Sequence, residues 1–161
     1  MNAAHIHLIF SHIAVVGIPL ALLIFILAYL KKSHEVFMAG CWVLLLVSLA
    51  AIPTYWAGEP TEKIVEHFPY FSKPIQETHE QWAQYALLSS LISGFLGLVC
   101  LFYDSFRHRL NKLLVALTVL WLILNISILL VTANYGGKII HQEIRGKVTT
   151  PSEHPYEQEE E

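Results

Sequence analysis

Four apolar runs dominate the chain, at 8–30, 36–57, 82–103 and 113–135, and short polar or charged segments separate them. Each run is close to the ~20 residues that an α-helix, rising ~1.5 Å per residue, needs to cross ~30 Å of hydrocarbon. The pattern predicts an all-α protein built as a bundle of four transmembrane helices. Three breaks connect them: Lys31-Lys32-Ser33-His34-Glu35, the long segment 58–81, and the segment 104–109. In the long break Pro60 suits the first turn of a short helix running to Phe68, with Ile64, Val65 and Phe68 placed to lie on a membrane surface. The connection between helices 2 and 3 is therefore predicted to be an ordered outer loop, a lid over one end of the bundle. Ser72-Lys73-Pro74 reads as the start of the third helix, which rises from the lid before entering lipid. One domain, 1–145, accounts for the helices, and a polar acidic tail, 146–161, is too charged to fold alone.

Composition supports this pattern. Only 14% of residues are charged and 55% are hydrophobic, where a soluble domain carries about a quarter charged. The first apolar run has no basic stretch ahead of it and is too long for a signal-peptide core, so it is expected to stay as helix one. Cys41 and Cys100 are too few for a disulfide framework and read as small buried hydrophobes near the cytoplasmic helix ends. No nucleotide-binding loop, nucleophile triad or paired-thiol motif occurs, which leaves a hydrolase or kinase without support. Nucleic acid is not an expected partner. The short connections hold Lys31, Lys32, Arg107, Arg109 and Lys112, and the positive-inside rule makes them cytoplasmic. Both termini and the long loop then face outward.

In that topology the nine histidines divide unequally. His5, His7, His12, His67, His79, His141 and His154 fall at or beyond the outer face, leaving His34 and His108 inside. Neutral imidazole is the commonest metal ligand and an axial ligand of haem iron, and sites in helical bundles are built from inward side chains on facing helices. His12 sits ~6 Å below the helix entrance, where a polar side chain is costly without a partner. His7 lies ~140° from His12 at 100° per residue, so at most one of them points straight into the bundle. His12 and His79 are expected to be the most inward pair, with His141 and His7 as further ligands or orienting partners.

Helix three carries a stripe of small residues below His79: Ala83, Ala86, Ser90, Gly94 and Gly97. Such a stripe serves close helix packing or lets a flat group approach. On helix four His141 shares a face with Gly137, Asn134 and Ser127, and Asn125 lies near mid-membrane as an interhelical hydrogen-bonding residue or a quinone contact. Glu59, Glu62, Glu66, Glu77, Glu80 and Glu143 surround the outer mouth. They read either as a solvated acidic rim or as groups that orient imidazoles or ligate a metal through a carboxylate, with Glu77, Glu80 and Glu143 together with Asn134 as the orienting set.

The segments His7-Leu8-Ile9-Phe10-Ser11-His12, Gly58-Glu59-Pro60, His79-Glu80 and Gly136-Gly137-Lys138-Ile139-Ile140-His141-Gln142-Glu143-Ile144-Arg145 resemble a family of bacterial four-helix membrane proteins of unknown function. Some members carry a fused Rieske iron–sulfur domain. Leu8 and Ala14 stand where that family usually has prolines. The resemblance implies a bacterial inner membrane, in which the outward-facing termini are periplasmic by the positive-inside rule; it carries over His7, His12, His79 and His141, and associates the chain with electrons or quinol.

The leading reading is a small membrane redox protein, an electron-transfer component rather than a stand-alone catalyst. Its outer histidines would hold haem b or a transition metal such as copper, zinc or iron, and exchange electrons with a quinone or a periplasmic carrier. A cofactor-free accessory subunit of a larger respiratory complex is the second reading, and a metal-handling or transport protein the third.

Overall fold

Asn2 opens the first helix by accepting the backbone N–H of His5 at 3.0 Å, which satisfies one of the donors that a helix start leaves unpaired. From there α1 runs over Ala3–Lys31 and stops where Lys32 turns into the left-handed region at φ 51°. Ser33 then caps α2, His34–Leu49, through the N–H of Val36. Pro53 has no N–H to give to the carbonyl of Leu49 and its ring crowds that carbonyl, so the helix breaks at Ala50 and resumes as α3, Ala51–Trp56. After a turn at Ala57 comes α4, Gly58–Val65, then α5, Lys73–Arg107, and α6, Lys112–Ile140, with a final 3₁₀ turn at Gln142–Ile144. The computed structural model describes residues 2–107 and 112–146. His108, Arg109, His154 and the acidic tail from 147 onward lie outside the described residues.

Four helical segments are long and apolar enough to cross a membrane: Ala3–Lys31, His34–Trp56, Lys73–Asp104 and Lys112–Ile140. The last two extend past the apolar runs at 82–103 and 113–135. Polar first turns of α5 and the glycine-containing last turns of α6 continue the helix where hydropathy alone gives no signal. The short helix of the long connection begins at Gly58, two residues before Pro60, and ends at Val65 rather than Phe68. Ile64 and Phe68 are exposed.

α1 packs against α2 and α6, and α5 packs against the same two helices, so α1 and α5 face each other diagonally. Ile18, Ala21, Phe25, Phe37, Leu44, Leu122 and Leu129 fill the interior. Leu8, Val16, Leu23, Leu46, Phe95, Leu120 and Leu130 cover the outside. This arrangement suits lipid, which takes apolar side chains on the outer surface without penalty.

Two seams explain the small and polar residues of α5. Toward α2, a Cβ on Gly94 would sit 2.9 Å from Ser48 Cβ and one on Gly97 3.2 Å from the Cys41 carbonyl oxygen. The lower part of the small-residue stripe therefore serves close helix packing. Toward α6, Asn125 donates to Ser93 Oγ at 2.7 Å and accepts from Ser89 Oγ at 2.9 Å, while Trp121 Nε1 donates to Ser93 Oγ at 3.1 Å. Interhelical hydrogen bonds of this kind contribute ~0.6 kcal/mol each on average in a bilayer. Asn125 joins two helices within the core.

Candidate functional site

At the end of the bundle where α1 begins and α6 finishes, two imidazoles from diagonally opposed helices meet. The ring centroids of His7 on α1 and His79 on α5 are 6.4 Å apart, with the planes at 73°. Each ring is fixed from behind. His7 Nδ1 bonds the main-chain carbonyl of Thr54 at 2.9 Å, and His79 Nδ1 bonds the carbonyl of Thr132 at 3.0 Å. A carbonyl oxygen only accepts, so in both rings Nδ1 carries the proton and, in the neutral imidazole, Nε2 carries the lone pair. This is the tautomer that ligates a metal through Nε2 while the other nitrogen is anchored.

Local sequence explains both anchors. Thr54 lies in the last turn of α3, where carbonyls run out of helical donors, and the turn at Ala57 presents this one to α1. His79 comes against α6 because Gly136 has no side chain. A Cβ there would lie 3.0 Å from His79 Cε1 and 3.3 Å from Nδ1. Thr132 Oγ1 adds a bond to the Trp82 carbonyl at 3.2 Å, which fixes α6 against α5 one turn from the histidine.

The other sequence candidates fall elsewhere. His12 is exposed, with Nδ1 bonded to the Leu8 carbonyl of its own helix at 2.6 Å, so the inward pair is His7 and His79 rather than His12 and His79. The 140° separation of the two α1 histidines is resolved in favour of His7. His141 is also exposed, just past α6, and pairs with Glu143 Oε1 at 2.7 Å. The backbone N–H of Glu143, and then the His141 ring, hold that carboxyl below the usual carboxylate range. Glu77, Glu80 and Asn134 are exposed and have no bond to either inward ring among the described residues. They belong to the rim.

Arg145 was singled out only as the last residue of a motif, yet it ties this end of the bundle together. Its guanidinium donates to the carbonyls of Lys138 at 2.6 Å and Ile139 at 2.5 Å, and to Tyr70 of the long connection at 2.6 Å. It caps the last turn of α6 and holds the 66–72 segment beside it. Gly137 admits the returning chain, with Ile144 Cδ1 3.4 Å from where its Cβ would be.

Among the described residues no three His, Cys, Asp or Glu side chains converge as a metal-binding group. The site has two protein donors. Comparison of the chain with protein-family models, with curated proteins and with solved structures finds no match. The site's own chemistry carries the functional reading.

Proposed function

We propose that this chain is an integral membrane electron-transfer protein in which His7 and His79 would hold one haem b at the outer mouth of the bundle. The single observation behind this reading is the pair itself: two imidazoles on diagonal helices, both anchored through Nδ1, 6.4 Å apart. Donor number favours haem over a bare ion. A porphyrin would bring four nitrogens of its own and leave only two donors for His7 and His79 to supply, whereas zinc in a structural site takes four protein ligands.

When bound, haem supplies one-electron chemistry. The protein's part is to hold two neutral imidazoles in one tautomer through the Thr54 and Thr132 carbonyls, to seat His79 against Gly136, and to keep the mouth closed through Arg145. A quinone in the bilayer or a soluble carrier at the outer face is the proposed partner. Placing the chain in a bacterial inner membrane with both termini periplasmic puts the pair on the carrier's side.

The test is the absorption spectrum of protein made in a haem-competent host and purified in mild detergent, oxidised and reduced, with elemental analysis of the same sample. A Soret band with reduced α and β bands, lost in His7→Ala and in His79→Ala but kept in His12→Ala and His141→Ala, is expected. Stoichiometric copper, zinc or iron without a Soret band would keep the pair and replace haem by a metal ion. Colourless, metal-free protein would favour a cofactor-free accessory subunit. In support of that second reading, the same Nδ1 bond lets His7 cap an unpaired helix-end carbonyl, and the Asn125 network ties helices without any ligand.

A further inference from the structure

The break in the second span coincides with two buried hydroxyls that bond to no described residue. Pro53 has no N–H to give to the Leu49 carbonyl, and the chain leaves α2 at Ala50 before resuming as α3. Just before the break Ser48 is 1% exposed, and on α5 Ser90 is 0% exposed. Neither hydroxyl has a hydrogen-bond partner among the described residues. Other hydroxyls of these spans behave differently: those of Thr54, Ser93, Thr118 and Thr132 turn back onto the carbonyl one turn earlier in their own helix. Ser48 instead aims at α5, with Oγ 3.4 Å from where a Cβ on Gly94 would be. Ser90 shares the face of Gly94 at helical spacing, one turn nearer the histidine end of the bundle, the end toward which the last carbonyls of α2 point. Close packing at Gly94 explains the small residues of the stripe. It does not explain two orphan hydroxyls beside a helix end short of donors.

We propose that Ser48 and Ser90 hold a buried water molecule at this break, a site separate from the histidine pair. An unpaired hydroxyl sealed from solvent is costly, and a break in a spanning helix persists where side chains or ordered water take up the freed backbone groups. One water answers both demands. It can donate to the Leu49 carbonyl and to one hydroxyl oxygen and accept from the other hydroxyl, which gives it the two to four polar partners that an internal water needs. All three groups are neutral oxygens, so an uncharged guest suits them better than a cation, which would enter the span without a countercharge. Ala50, Ala51 and Ala86, buried and within a turn of the two serines along their helices, add no bulk there.

The experiment measures reversible unfolding of the whole protein in mixed micelles for Ser48→Ala, Ser90→Ala and the double variant, together with magnetisation transfer from water to the amide protons of deuterated wild-type protein in deuterated detergent. Each single variant takes a partner from the water and should lower the folding equilibrium constant about three- to ten-fold. The double variant should lose less than the product of the two, because the hydroxyls act through one shared water. Transfer from water should reach the amides of 48–51 and of Ser90 and be absent at Leu44 and Leu122 in the core. Single variants as stable as wild type or more so would overturn the proposal, since deleting a hydroxyl that bonds nothing only removes its burial cost. So would independent losses in the double variant, wild-type amides that receive nothing from water, or stability that rises with sodium but not potassium, the mark of a cation. The wild-type transfer decides by itself if a serine variant fails to fold. The His7→Ala/His79→Ala double variant should keep that transfer, which separates failure of this site from failure of the haem reading.

Discussion

Adding one methyl group at Gly136 strikes the candidate site without touching either histidine. The new Cβ would lie 3.0 Å from His79 Cε1 and 3.3 Å from Nδ1, closer than most side-chain contacts, and the ring cannot retreat freely because Nδ1 is bonded to Thr132 O at 3.0 Å. Overpacking of this kind costs about 1–3 kcal/mol, and loss of the anchoring hydrogen bond about 1 kcal/mol more. Replacing glycine by alanine inside a helix returns up to about 1 kcal/mol. The net expectation is a loss of about 1–3 kcal/mol. Gly137→Ala provides the control one residue away. Its Cβ would meet only Ile144 Cδ1 at 3.4 Å, ordinary contact, so it should be neutral or slightly stabilising. Reversible unfolding in mixed micelles reads the two free energies, and nitrogen NMR of labelled histidine reads whether the His79 Nδ1 proton stays bonded. Gly136→Ala matching Gly137→Ala in stability, with the His79 signal unmoved, would refute the reasoning.

Other expected outcomes follow from single contacts. Asn125→Leu removes both bonds that join it to Ser89 and Ser93 and should destabilise the α5–α6 seam by about 1–2 kcal/mol in the same micelle unfolding assay. Arg145→Ala frees the carbonyls of Lys138, Ile139 and Tyr70, and hydrogen exchange should speed up in the last turn of α6 and around 70 while the middle of the bundle stays protected. Lys63→Ala removes an exposed i,i+4 pair with Glu59 and should leave the unfolding free energy unchanged at physiological salt. That carboxyl is held below its usual range by the Lys63 hydrogen bond, so any stabilisation from the pair is present above the unfolded carboxylate pKa and vanishes as pH falls through the lower folded value.

The four helices were legible because bilayer thickness fixes the length of an apolar run; the break at Ala50 was not, because Pro53 sits inside the apolar run 36–57 and acts on the backbone without interrupting the hydropathy. Helix ends at Lys73 and Ile140 were less visible in hydropathy, since the first turns of α5 and the last turns of α6 are polar or glycine-containing. The gathering of histidines at one end was also readable, but not which of them turn inward. Sequence spacing sets the angle between His7 and His12 at about 140° without fixing the rotation of α1 in the bundle. Packing against α2, α3 and α6 sets that rotation, and it leaves His12 exposed. Thr54 and Thr132 gave no sequence signal because they act through main-chain carbonyls, which every residue has. The Gly136-Gly137 pair did stand out, and the structure divides its work: Gly136 seats the His79 ring and Gly137 admits Ile144.

The most direct test of the central claim, that His7 and His79 share one metal centre, is the electron paramagnetic resonance spectrum of the oxidised protein in wild-type, His7→Ala and His79→Ala forms. A low-spin ferric haem signal of bis-imidazole type, converted to high spin or lost in both variants and unchanged in His12→Ala, is the expected result. A centre that survives removal of either inward histidine, or wild-type protein with no paramagnetic centre after haem loading, would contradict it.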